Sequence, residues 1–176
     1  MVKLSLFLGL LMAVNTPNPT LVSQTPQQMQ ISSPSSTMTT MTTDESRFLE
    51  LTNNERVARG LQPLTYDPNL TEIARAHSRE MSDKNYFSHH SPTPGIETPM
   101  DRYLSSVKQR PSWALVGENL FYCSIEDVDR GHQALMKSPT HRDNILESRF
   151  ERMGVGIYIN PEGEFFVTEM FLAETD

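Results

Sequence analysis

Residues 152–171, "RMGVGIYINPEGEFFVTEMF", hold two β-rich apolar runs on either side of Asn160-Pro161-Glu162-Gly163. Strand-forming residues around a short Asn/Pro/Gly segment predict an antiparallel hairpin near the C-terminus. What lies before the hairpin decides the class. "DESRFLELTNNERVARG", residues 44–60, predicts a helix opened by acidic residues and closed by Gly60. Phe48, Leu51 and Ala58 would share a face, with Val57 beside them and Asn54 close by. "YDPNLTEIARAHSREMSDKN", residues 66–85, predicts a second helix. Asp67 suits its cap and Pro68 its first turn. Leu70, Ile73, Ala74, His77 and Met81 recur at intervals of three and four and so line one face. A histidine on such a face is most often a hydrogen-bonded core residue.

Pro92, Pro94, Gly95 and Pro99 then impose a loop, with a short helix expected from Thr98 to Ser106. "ALVGENLFYC", residues 114–123, predicts a buried strand. Ser124 is the expected cap of a further helix, with Asp127 three residues on and Ile125, Val128, His132 and Leu135 in one stripe. Ser138 and Pro139 restart the helix. Helices followed by an antiparallel pair, with no βαβ rhythm, indicate an α+β fold.

The first 43 residues differ from the rest: Lys3 is their only charged residue. Leu4–Val14 is an 11-residue apolar run behind that lysine. Crossing a bilayer takes about 20 such residues, whereas a secretory signal needs about 7–15. The expected organisation is a signal peptide over 1–23, a Ser/Thr/Gln/Pro linker over 24–43 with too little apolar surface to order itself, and a folded domain over 44–174. Neither Ala13-Val14-Asn15 nor Leu21-Val22-Ser23 is a good cleavage site, so an uncleaved N-terminal anchor is the alternative. The place of action is then extracellular or periplasmic, with no membrane insertion beyond that segment. The net charge of −7 and the lack of any basic run argue against nucleic acid as a partner. The single cysteine, Cys123, rules out an internal disulfide and is expected as a small buried residue.

The polar groups of interest sit at breaks in the pattern: His89 and His90 in the Pro-rich loop, Glu118 inside an apolar run, and His141 just inside the helix opened by Ser138-Pro139. A carboxylate in an apolar run must be paired or bound to a metal. Two imidazoles and a carboxylate are common zinc ligands and equally common acid–base partners of a water. They also serve as plain structural hydrogen-bonding groups. Positions 89, 118 and 141 form no compact motif, so spacing leaves all three readings open. Ser91 or Ser138 could in principle act as a nucleophile with a histidine base.

"LTNNERVARGLQPLTYDPNLTEIARAHSREM" (51–81), "FSHHSP" (87–92), "GENL" (117–120), "SPTHRDNIL" (138–146) and "MGVGIYI" (153–159) occur in an order that resembles the CAP superfamily. This superfamily holds the cysteine-rich secretory, antigen 5 and pathogenesis-related proteins. The bacterial secreted SCP-domain members are most similar, over about residues 46–172. The resemblance implies a three-layer α-β-α sandwich around a small antiparallel sheet, and a cleft lined by two histidines and often two glutamates. His89, Glu118 and His141 fall on those positions, and His90 falls on a variable one. The chain departs from the pattern in having Leu135 where a Trp is usual, and Ser138 where many members have the second Glu. The implied function is a secreted, monomeric module whose cleft, lined by His89, Glu118, His141 and Ser138, binds a divalent metal or a small ligand. His89, His141 and Glu118 would be the metal ligands and Zn²⁺ the expected ion, with a lipid or cell-wall component as partner. A metal-dependent or serine hydrolase using the same cleft, and a purely structural cluster, are the alternatives.

Overall fold

The structure, a computed structural model, describes residues 39–175. The expected signal segment and the linker up to residue 38 lie outside the described residues. Nine elements follow: α1 (Thr43–Val57), β1 (Thr65–Tyr66), α2 (Pro68–Asp83), α3 (Pro99–Ser106), β2 (Trp113–Cys123), α4 (Val128–Lys137), α5 (Pro139–Leu146), β3 (Arg152–Ile159) and β4 (Phe165–Thr175). Among the described residues no helix is long and apolar enough to cross a membrane.

The hairpin forms as its sequence predicts. Ile159 pairs with Phe165, and Gly163 takes a positive φ of 82° to close the turn. β2 adds antiparallel to the other side of β4, pairing Glu118 with Met170 and Cys123 with Phe165. The sheet order is β1-β3-β4-β2, so β2 is an outermost strand. β1 pairs with β3 in parallel, so the sheet is mixed rather than wholly antiparallel. A two-residue strand carries no alternation that a sequence reading could catch, and the long connection to β3 permits the parallel direction.

Alternation along β4 builds the layers. Phe165, Val167 and Phe171 pack with Phe48, Leu135, Ile145 and Phe150 from the α1, α4 and α5 side. Met170 and Leu172 pack with Leu70, Ile73, Ala74 and Tyr103 from α2 and α3. Phe166 joins Met81 and Leu120 on that second face. Helices therefore cover both faces of the sheet, as the sandwich expectation had it. On β3, a Cβ at Gly154 or Gly156 would come within 2.3 or 2.0 Å of α2 backbone nitrogens. The two glycines let α2 lie directly on the strand, which fixes where His77 and Glu80 stand. Ser78 locks the contact, its Oγ donating to Gly156 O at 2.9 Å.

Four local expectations are corrected. α1 opens at Thr43 under a Thr42–Glu45 capping box, and Thr39 and Thr40 accept hydrogen bonds from Tyr66 and Arg75. Contacts with the folded part are thus already made at Thr39 and Thr40. The buried face of α1 is Glu45, Phe48, Thr52 and Arg56, while Val57, Ala58 and Asn54 are exposed. Polar partners decide this. Arg75 binds the Glu45 carboxylate at 2.6 and 2.7 Å. Arg56 donates to Gln62 O, Ile145 O and Glu147 O, each at 2.9 Å, and to Phe150 O at 3.2 Å. Asp127, not Ser124, caps α4 by accepting from Arg130 N, which leaves Ile125 outside the helix and exposed. Cys123, at the end of β2, is half-buried rather than buried.

Candidate functional site

Glu118 is the centre of the polar cluster. Its position on β2 turns it to the α2/α3 face, with its side chain almost wholly out of solvent at 1% exposure. A lone buried carboxylate would be costly, and this one is fully engaged. His89 Nδ1 lies 2.7 Å from its Oε1. The buried Arg102 of α3 pairs through Nη2 with its Oε2. His77 Nε2 stands 4.0 Å away on α2. Arg102 also donates to the carbonyls of His89 and Ile96, both at 3.2 Å. One guanidinium therefore neutralises the carboxylate and holds the loop that carries His89.

That loop is built around Glu80. Ser91 donates to both its oxygens (2.8 and 3.0 Å), Tyr86 to one (2.7 Å), and Lys84 to the other (2.8 Å). Burial alone would raise the Glu80 pKa, but the hydrogen bonds from Lys84, Thr93, Tyr86 and Ser91 hold it down at about 2. Ser88 O faces the His77 ring at 3.1 Å, which suits a donated Nε2–H. Burial, set against the attraction of Glu118, keeps His77 below the usual imidazole pKa. It is a neutral wall of the site. The His89 side chain remains 52% exposed. His90 is exposed as well.

His141 comes from α5, which packs against β2. Asn119 Nδ2 donates to His141 O at 3.1 Å, and Asn144 Nδ2 donates to Glu118 O at 3.1 Å and to Asn119 Oδ1 at 2.9 Å. These two amides tie the first turns of α5 to the strand segment that bears Glu118. Burial, and then the neighbouring charge of His89, lower the His141 pKa. Both effects favour an uncharged ring. Ser138 occupies the N-cap position of α5 but makes no capping hydrogen bond. Among the described residues its Oγ meets Thr140 Oγ1, at 3.4 Å.

Among the described residues, no group of three or more His, Cys, Asp or Glu is arranged to hold a metal ion. Both Glu118 oxygens face protein donors, so the donors that fit a metal are the two imidazoles. His89 uses Nδ1 on a buried carboxylate, the arrangement that orients metal-binding histidines and leaves Nε2 as the donor. Among the described residues neither candidate nucleophile is paired with an imidazole: Ser91 is buried and donates to Glu80, and Ser138 Oγ faces Thr140 Oγ1.

Sequence reasoning missed Arg102, Asn119 and Asn144, and weighed His77 chiefly as a hydrogen-bonded core residue, which it is while also walling the site. Asn119 lay inside the quoted "GENL" and Asn144 inside "SPTHRDNIL", so attention to the polar neighbours within each motif would have found them. Arg102 carries no local signal.

A sequence profile of the cysteine-rich secretory protein family, CAP, matches residues 49–171. YkwD of Bacillus subtilis is 42% identical over 112 residues, which make up 64% of this chain and 41% of YkwD. An extracellular SCP-domain protein of Bacillus anthracis superposes with a TM-score of 0.63 at 32% identity, covering 74% of this chain and 40% of its own. The chain thus spans about two fifths of each of these Bacillus proteins. An outer surface protein of Borrelia burgdorferi shares the fold with a TM-score of 0.66 at 17% identity, over 75% of this chain and 93% of its own. The profile match, the fold and the ordered motifs agree, and the chain belongs to the CAP family.

Proposed function

We propose that the protein is an exported CAP module whose cleft takes up a divalent metal, Zn²⁺ by the chemistry of its donors, between His89 Nε2 and His141, and presents it to a small lipid-like or cell-wall ligand. The observation that carries this reading is the 2.7 Å contact of His89 Nδ1 with a carboxylate that is itself buried and fixed by Arg102. The contact sets the tautomer and aim of the ring before any ligand arrives. Glu118 acts here as the orienting group behind His89 rather than as a direct ligand, and His141, held neutral, keeps a lone pair for the ion. A bound Zn²⁺ would supply a Lewis acid with open positions for an exogenous ligand. Ser138 lies at the start of α5, two residues from Thr140 and three from His141, and has no assigned part in holding the ion. The apolar run behind Lys3 and the extracellular relative in Bacillus anthracis support export.

Calorimetric titration of the full chain with Zn²⁺ tests this. One site of micromolar affinity or tighter is expected in the wild type, with loss of binding in His89→Ala and in His141→Ala. Glu118→Gln, which leaves the ring without its anionic partner, should bind about 10–100-fold more weakly. A folded wild type that gives no binding heat, or a His89→Ala variant that binds as the wild type does, removes the metal from the reading.

A further inference from the structure

Tyr122 lies four residues beyond Glu118 on β2 and so points to the same face of the sheet, about 13 Å further along. There it meets Phe87, from the loop that carries His89. The two rings lie 6.0 Å apart with a 50° tilt. Both are large side chains left open to solvent, Phe87 at 50% and Tyr122 at 41%. Phe166, buried beneath, braces Tyr122 at 4.8 Å. These rings wall a pocket of about 280 Å³ whose other lining includes Ser82, Asn85 and Glu164. The Glu164 carboxylate is fixed there by Tyr122 Oη and by Asn160 Nδ2.

We propose that this pocket is a carbohydrate subsite that seats one pyranose ring on Phe87 and Tyr122. A pyranose has an apolar C–H face and a rim of hydroxyls. It needs a firm aromatic surface on one side and hydrogen-bonding groups at the edge, which is what the rings and the Ser82, Asn85 and Glu164 side chains provide. The volume, just under the usual range of ligand pockets of about 300–1,000 Å³, admits one ring. Other occupants fit less well. The ring spacings are those of aromatic groups in mutual contact, about 4.5–7 Å, so no quaternary ammonium can enter between them as it does in a cage. A fully apolar chain would strip water from the three polar groups without replacing it. A nucleotide stacked there would bring its phosphate towards Glu164 on a chain of net charge −7. The subsite needs no metal, and a glycan lying in it would extend along β2 towards His89.

The test is calorimetry of the full chain with chitotriose and cellotriose in the presence of EDTA, so that the result is independent of the metal reading. Backbone NMR shifts locate the binding. Saturable binding is expected with at least one trimer, with shifts at Asn85–Phe87, Tyr122 and Glu164. Phe87→Ala, at an exposed position, should weaken it about tenfold. The proposal is overturned if a folded chain binds neither trimer, if the shifts map elsewhere, if Phe87→Ala binds like the wild type, or if tetramethylammonium binds more tightly than the sugars.

Discussion

Glu169 is the most exacting residue of the interior. It is wholly buried on β4, its Oε2 accepts from Asn119 Nδ2 at 3.0 Å, and its Oε1 has no hydrogen-bond partner among the described residues. Burial pushes its pKa up to about 7, and Asn119 only partly offsets that. A raised carboxylate pKa means that the folded chain keeps a proton that the unfolded chain has released. Stability from this group is therefore full below about pH 4.5 and is lost as pH rises through about 7. The loss is at most about 3 kcal/mol at 1.36 kcal/mol per unit. His77, His132 and His141 have lowered values and act in the opposite sense within the same range, losing stability as pH falls. The informative quantity is thus the difference between wild type and Glu169→Gln in urea unfolding from pH 4.5 to 7. The variant should gain on the wild type steadily across that window. Parallel curves would show that Glu169 does not titrate there. Alternation along "FFVTEMF" does place Glu169 with Phe165, Val167 and Phe171, so its burial was legible. Its partner, Asn119, was not, because the two lie 50 positions apart.

At the scale of elements, the contact between α2 and β3 leaves no room. Alanine at Gly156 would put its Cβ 2.0 Å from Arg75 N, a backbone atom that cannot rotate aside. We expect Gly156→Ala to cost about 1–3 kcal/mol or more, read by denaturant midpoint, with a smaller effect at Gly60, where nothing lies within 4 Å of the added carbon and the cost is the backbone strain of its φ of 77°. A tolerated Gly156→Ala would mean that α2 can ride up on the sheet. This pairing also shows where the sequence speaks and where it does not. α2 was legible in full: cap, proline and apolar face are all local signals, and Leu70, Ile73, Ala74, His77 and Met81 are all buried. α1 was legible as a helix but not in its orientation. Its inward residues include Glu45 and Arg56, whose burial makes sense only beside Arg75 and four carbonyls supplied from elsewhere.

At the scale of the molecule, three core clusters and the Arg56 and Glu118–Arg102 networks hold the layers without any covalent staple. Thermal unfolding should therefore have the same midpoint with and without reductant, and a shift on reduction would point to a disulfide between chains through Cys123. The candidate site belongs to this scale too. His89 and Glu118 are 29 positions apart, and the contact exists only because β2 and the loop after α2 meet on one face. No spacing rule contains that information; the resemblance carried by the ordered motifs named both residues. The place of β2 at the margin of the sheet has a further consequence. An eleven-residue strand with one side unpaired among the described residues is a template on which a second copy could add its own strand and seed aggregates. Asn144 Nδ2 already donates to Glu118 O, so the amide that shapes the cleft also takes up one acceptor that an added strand would need.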